Sequence, residues 1–245
     1  MSHIMERPDE ITNELLASLP ADKLKKISKD LNLVDLEIDQ VLWEMDEVRE
    51  FVYFPTTAMI CLLYETERGV SIEAGMTGRQ GMVGVVAFIG DGRMAKRAVV
   101  QTAGQAYCIK ADDVEKYFSE IPEFREICMC YTQTLIAQIS QSAICNRLHP
   151  VEQQIARYLL VCYDNLGVKT FNMTHARISD VLGVRRESIS LAARNLKGRG
   201  LIKYGSGKLE ILDLKGLRSA VCECYDVVRS QYNRILKEYR SHHKS

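Results

Sequence analysis

From Gly183 to Tyr204 the chain reads GVRRESISLAARNLKGRGLIKY. Arg185, Arg186, Glu187, Ser188 and Ser190 are side chains that bond base edges: arginine grips guanine O6 and N7 with two prongs, and glutamate accepts from the cytosine amino group. Between Arg185 and Lys208 there are seven basic residues and one acid, a net charge of +6, while the whole chain's 32 basic and 32 acidic residues cancel. A neutral chain with one basic stretch has a directional electrostatic footprint. Arg194, Lys203 and Lys208 suit the phosphate backbone, which positions a protein on a duplex without reading its sequence. A helical hairpin with a solvated basic face would carry the same charges, so the elements around them must decide.

No catalytic residues stand out: there is no Ser/His/Asp arrangement, Walker loop or dinucleotide fingerprint, so the chain reads as a non-enzyme with no evident cofactor. The five histidines are His3, His149, His175, His242 and His243. None falls in residues 32–110, the region rich in strands, which argues against a metal centre or a histidine-ligated haem there. The cysteines are Cys61, Cys108, Cys128, Cys130, Cys145, Cys162, Cys222 and Cys224. No N-terminal iron–sulfur spacing precedes Cys61. Both Cys-x-Cys pairs fall on predicted helices, where two steps turn about 200° and part the sulfurs, so no metal site is expected. Cys128 and Cys130 read either as small buried hydrophobes or as redox sensors. Free thiols without a secretory signal point to the reducing cytoplasm, and no apolar run is long enough for a membrane span.

Two short helices around a tight turn must present the basic front. Ile178, Val181 and Leu182 share one face of the first, behind the N-cap Thr174. Gly183 sits where the chain leaves that helix and needs a positive φ. Val184 tucks into the turn, and the second helix buries Ile189, Ala192, Ala193 and Leu196. This is a helix-turn-helix. LIKYGSGKLEIL beyond it reads as a hairpin wing turning at Gly205-Ser206-Gly207, with Lys203 and Lys208 near phosphate.

Upstream, residues 9–31 read as helical, broken by Pro20. VLWEM, FVYF, AMICLLY, VSIEAG, MVGVVAFIG, RAVVQT and QAYCIK read as short strands of an antiparallel barrel or jelly roll, parted by Arg68-Gly69 and Gly90-Asp91-Gly92. A long helix over 123–146 starts at Pro122. Its wide apolar stripe packs on the chain's own strands or pairs with a second copy. Residues 214–239 read as one long amphipathic helix, which packs on the rest of the chain or docks a partner such as RNA polymerase or a second protomer.

The order roll, long helix, helix-turn-helix, basic hairpin, with VGVRRESISLAARNLKGRGLI and NRLHPVEQQIARYLL in its C-terminal part and VYFPTTAMICLLYE and GRQGMVGV in its N-terminal part, resembles the cyclic-AMP receptor protein/Fnr (Crp/Fnr) family of bacterial transcription regulators. The resemblance spans about residues 12 to 214. It implies a homodimer joined along the long helix and a palindromic DNA site with half-sites about 34 Å apart. It also implies that Arg186 and Glu187 open the reading helix. The family's next arginine falls on Leu191, and its usual serine cap on Arg185. In the family's nucleotide pocket Gly81 and Gly84 match the glycine turn, Val85 stands where a ribose-binding glutamate is usual, and Lys96 and Arg97 replace the phosphate-binding pair. Cyclic AMP binding in the usual way is therefore not expected, since a ribose hydroxyl without its acceptor costs about 1–3 kcal/mol.

The sequence thus points to an α+β chain: an N-terminal antiparallel β-roll of the cyclic-nucleotide-binding-like jelly-roll kind, a long dimerisation helix and a C-terminal winged helix-turn-helix. The expected boundaries are 1–118 for the roll with its N-terminal helices, 119–146 for the long helix, 147–214 for the winged helix-turn-helix and 215–245 for the C-terminal helix. The expected function is a cytoplasmic, homodimeric, sequence-specific DNA-binding transcription regulator modulated by a small ligand or redox signal. The alternative is a ligand-binding regulatory module that acts through protein partners.

Overall fold

The computed structural model describes residues 11–45, 47, 50–65, 71–90, 97–205 and 207–243. A 3-10 turn at Leu16–Ser18 and helix α1 (Ala21–Ile27) lead into the strands, with Pro20 as the N-cap of α1. Then come β1 (Asn32–Leu36), β2 (Val41–Trp43), β3 (Phe51–Pro55), β4 (Met59–Glu65), β5 (Ser71–Thr77), β6 (Arg97–Thr102) and β7 (Gly104–Lys110). They form two antiparallel sheets, ordered β1-β7-β3 and β2-β6-β4-β5. Leu36, Trp43, Ile60, Leu62, Val83, Val100 and Ala106 form one core of this roll.

The period of two along β4 explains why AMICLLY is apolar throughout. Ile60 and Leu62 point into the roll, whereas Met59 and Cys61 join the core of the C-terminal half. A strand covered on both faces loses the polar alternation of a half-exposed one. The roll and the helices after it thus share a continuous apolar core.

Helix α2 (Ala111–Glu120) is followed by α3 (Pro122–Leu148), which starts with its proline in the first turn and ends before His149-Pro150. Phe124, Ile127, Cys128, Tyr131 and Leu135 bury one face of α3. Helix α4 (Val151–Leu166) ends at Gly167, φ 72°. Strand β8 (Thr170–Asn172), α5 (His175–Leu182), α6 (Arg186–Gly198), β9 (Ile202–Gly205) and β10 (Lys208–Ile211) complete a winged unit, its sheet ordered β8-β10-β9. Two further helices, α7 (Leu214–Ala220) and α8 (Cys224–His243), close the chain.

Four expectations change. MVGVVAFIG is not a strand: Val83 makes a single bridge to Tyr53, Gly84 has φ 115°, and Val85–Ala87 is a 3-10 turn. A left-handed glycine takes the backbone out of the extended region and ends any ladder. The helical reading of 9–31 shrinks to the 3-10 turn and α1, with residues 9 and 10 outside the described ones. The single helix expected over 214–239 is broken: Val221 adopts an extended backbone, φ −85° and ψ 157°, between α7 and α8. Cys222 therefore does not lie on a helix. Strands β1 and β8 had no counterpart in the sequence reading; both are short, and β8 exists because its neighbour β10 pairs with it. Arg68-Gly69, Asp91-Gly92 and Ser206 lie outside the described residues.

The C-terminal helix packs on its own chain. Leu236 and Tyr239 join the core formed by α3 and the roll. The Tyr239 hydroxyl donates to the Glu123 carbonyl at 3.1 Å, and that of Tyr232 to the Gln80 carbonyl at 3.0 Å.

Candidate nucleic-acid interface

The turn of the helix-turn-helix is built locally. Thr174 Oγ1 accepts from the Arg177 amide at 3.1 Å, capping α5. Gly183 leaves α5 at φ 64°, where a side chain would be strained although there is open space around it. The Ser179 hydroxyl donates to the Val184 carbonyl at 2.5 Å and draws the turn back onto α5. Ile178, Val181, Leu182, Ile189, Ala192, Ala193 and Leu196 are all buried. The small Ala192 and Ala193 let α5 and α6 approach closely.

That packing turns the front of α6 outward. Arg185, Arg186, Glu187 and Ser188 are exposed, as are Arg194 farther along and Lys203 and Lys208 on the wing. Arg185 is the N-cap in extended conformation, and no side chain caps the helix. The first turn of α6 thus points amide donors and two guanidinium groups toward solvent, an arrangement that suits anions. Among the described residues none of Arg185, Arg186, Arg194, Lys203 and Lys208 forms an ion pair. Arg199 differs: it is held by Glu152 of α4 at 2.6 Å, with Asn195 on the same carboxylate.

Ser190 is placed differently from its neighbours. Its hydroxyl meets His175 Nδ1 at 3.1 Å, and the His175 ring stacks on Tyr204 with centroids 4.3 Å apart. Burial pushes the His175 imidazole down from its ordinary value. Ser190 therefore ties α6 to α5 and the wing and is half-buried rather than presented with Arg186 and Glu187. Leu191, by contrast, is 58% exposed on the outward face.

The described residues matched to a nucleotide pocket have different surroundings. Gly81 lies against the Tyr131 ring, which a Cβ there would overlap, and Tyr131 OH meets Thr77 Oγ1 at 2.8 Å. Gly84 lies against Val52, and Val85 is buried. Arg97 is paired with Glu44 at 3.0 Å and faces the cleft between the roll and α5. Lys96 lies outside the described residues. Gly81 lines a different cavity, among α3, α4 and α8, with Tyr131, Gln138, Arg157, Tyr225 and Arg229.

Where the roll meets the winged unit, a polar cluster had no sequence signal. Cys61 Sγ lies 2.9 Å from Glu73 Oε2 and 3.0 Å from Gln101 Oε1, and Gln101 donates to the Tyr158 hydroxyl. Burial raises Glu73 to about 7, against the opposing effects of the Cys61 hydrogen bond and of Arg157 and Arg177. Burial likewise pushes the Cys128 thiol far up, and that of half-buried Cys130 is also raised.

Residues 153–220 match the Crp-like helix-turn-helix domain model. They hold the uncapped basic helix and the wing. Over this span the chain is a Crp-like helix-turn-helix domain. The fold of the whole chain is similar to that of FixK2 from Bradyrhizobium japonicum, with a TM-score of 0.67 at 16% identity over 78% of this chain and 98% of that one. It is similar to the c-di-GMP-responsive global regulator CLP of Xanthomonas campestris, TM-score 0.64 at 12% identity over 79% and 100%. A CRP/FNR-family transcriptional regulator from Thermus thermophilus gives 0.61 at 19% over 79% and 98%. No curated protein matched the sequence. Among the described residues no helix is long and apolar enough to cross a membrane.

Proposed function

We propose that this chain is a Crp/Fnr-type regulator of transcription, non-catalytic and cytoplasmic, that binds a palindromic DNA site as a homodimer. The observation that carries this is the open front of α6: Arg185, Arg186, Glu187 and Ser188 exposed together, uncapped and unpaired, on a Crp-like helix-turn-helix domain. Arg186 and Glu187 read bases, while Arg194, Lys203 and Lys208 hold phosphates.

The dimer forms along α3. With α8 and the roll covering one side, Met129, Ile136 and Ile144 remain exposed on the other, at 50%, 60% and 45%. An apolar row spaced by seven and eight residues suits a helix paired with its own copy. A small ligand or redox signal biases the angle between the two winged units through α3, and RNA polymerase is a further partner. The cavity among α3, α4 and α8 is the better-placed ligand site, because it touches both the dimer helix and the winged unit.

The test is selection from a random duplex pool with the purified chain at two salt concentrations. The expected result is a two-fold site with half-sites about 34 Å apart and affinity that falls steeply with salt. Absence of any DNA binding, with and without oxidation, would sink the proposal in favour of a module that acts through protein partners.

A further inference from the structure

We propose that Cys145, His149, Cys222 and Cys224 form a tetrahedral Cys3His site for one zinc ion. Their ligand atoms all lie within 4.8 Å of one another. Cys145 Sγ is 3.6 Å from Cys222 Sγ, and Cys224 Sγ is 3.4 Å from His149 Nδ1. A tetrahedral zinc with Zn–S of about 2.3 Å and Zn–N of about 2.0 Å sets its ligand atoms about 3.5–3.8 Å apart. Two of the separations already have that length, and the widest needs to contract by only about 1 Å.

The four residues come from three places in the chain. Cys145 and His149 are four apart at the end of α3, so they face the same way. Cys222 lies in the break between α7 and α8, and Cys224 is the first residue of α8. Two residues apart on one helix would have separated these sulfurs; the break lets both face Cys145. All three cysteines are buried.

The surroundings match a metal-bound imidazole. His149 Nε2 lies 3.2 Å from Glu223 Oε1, which turns Nδ1 toward the sulfurs and makes it the free lone pair. A carboxylate behind the histidine is the usual second layer of a zinc site. Gln141 Nε2 donates to Cys224 Sγ at 3.1 Å, and the charge of Arg157 acts on Cys145. Three thiolates and one zinc leave a single negative charge, which Arg157 offsets.

Other uses of these residues fit less well. A disulfide between Cys145 and Cys222 would need the sulfurs at about 2.05 Å and would leave Cys224 and His149 unexplained. An iron–sulfur cluster needs a wider cage, because its own irons and sulfides stand between the ligand sulfurs. The zinc would join the end of α3, just before Pro150, to the break between α7 and α8 and the start of α8. It therefore fixes the hinge at which the long helix hands over to the winged unit, whether or not that unit reads DNA.

The full chain, purified under reducing conditions without chelator, should hold about one zinc per chain by elemental analysis. Replacing zinc with Co(II) should give the visible bands of tetrahedral cobalt and a thiolate-to-cobalt charge-transfer band. Cys145→Ser and Cys222→Ser should lose the metal, while Cys128→Ser should keep it. His149→Cys should keep it with a stronger charge-transfer band, a gain that misfolding cannot mimic. Glu223→Gln should weaken metal affinity about 10- to 100-fold. A metal-free reduced chain that takes up no Co(II), metal retained in both serine variants, or a Cys145–Cys222 disulfide in place of metal would each overturn the proposal.

Discussion

Arg177 Nη2 on α5 lies 2.7 Å from Asp39 Oδ1 in the turn between β1 and β2. Asp39 holds that place at φ 64°, a left-handed conformation that aspartate tolerates better than most residues. The pair links the first helix of the winged unit to the roll. Asp39 is mostly exposed, so the bond is worth about 0.2–1 kcal/mol. Arg177→Ala and Asp39→Ala should each lower the melting temperature by only a few degrees. The double variant should add little to either, and the coupling should fade in high salt. A coupling well above 1 kcal/mol in a double-mutant cycle would contradict this.

Arg186→Ala should cost about 1–3 kcal/mol of specific DNA binding and relax the preference at one base pair per half-site. Lys208→Ala should weaken binding alike on all sequences and reduce the salt slope by about 1 per protomer. Leu191→Ala should remove a preference for thymine at one position, since an exposed leucine on the reading face can meet its methyl group. Selections repeated with each variant separate these three effects.

Ile136 is 60% exposed on the face of α3 away from α8. Ile136→Glu should shift the chain toward monomer in sedimentation velocity and weaken binding to the two-fold site at least tenfold. Folding should be spared, because the side chain lies outside the core. An unchanged dimer would place the interface elsewhere.

Glu73 carries a pH dependence. Its usual value is 4.5 and burial raises it to about 7, so between these values the folded chain binds more protons than the unfolded one. Stability from this group is complete below 4.5 and is lost as pH rises through about 7. Arg157, Arg177 and the Cys61 thiol around it limit the effect without reversing it. Glu73→Gln should flatten the melting temperature across this window and leave the variant a few degrees more stable than wild type above it. Thermal denaturation across the window in both proteins decides the matter.

The helix-turn-helix was legible because its determinants lie within about 25 residues. Apolar spacing, a cap at Thr174 and a positive-φ glycine at 183 act on neighbouring turns, and these contacts recur in the fold. Most strands were legible for the same reason, with β4 marked by a run apolar on both faces. MVGVVAFIG misled because its composition is that of a strand while Gly84 decides its backbone. Ser190 looked like its neighbours in type and was withdrawn from the surface by His175, a partner on another helix.

By itself the sequence determined the parts: a helix-turn-helix with a basic second helix and a wing, a long helix and an antiparallel roll, each set by local periodicity and turn chemistry. Only the tertiary structure decided which parts meet. It laid α8 on α3, brought Arg177 to Asp39, and set Cys145 and His149 beside Cys222 and Cys224, more than 70 residues away in the chain. The physical reason is that local signals act through torsions and neighbouring turns. Convergence of distant side chains depends instead on how whole faces are buried, and on one extended residue, Val221, that breaks a helix the periodicity had continued.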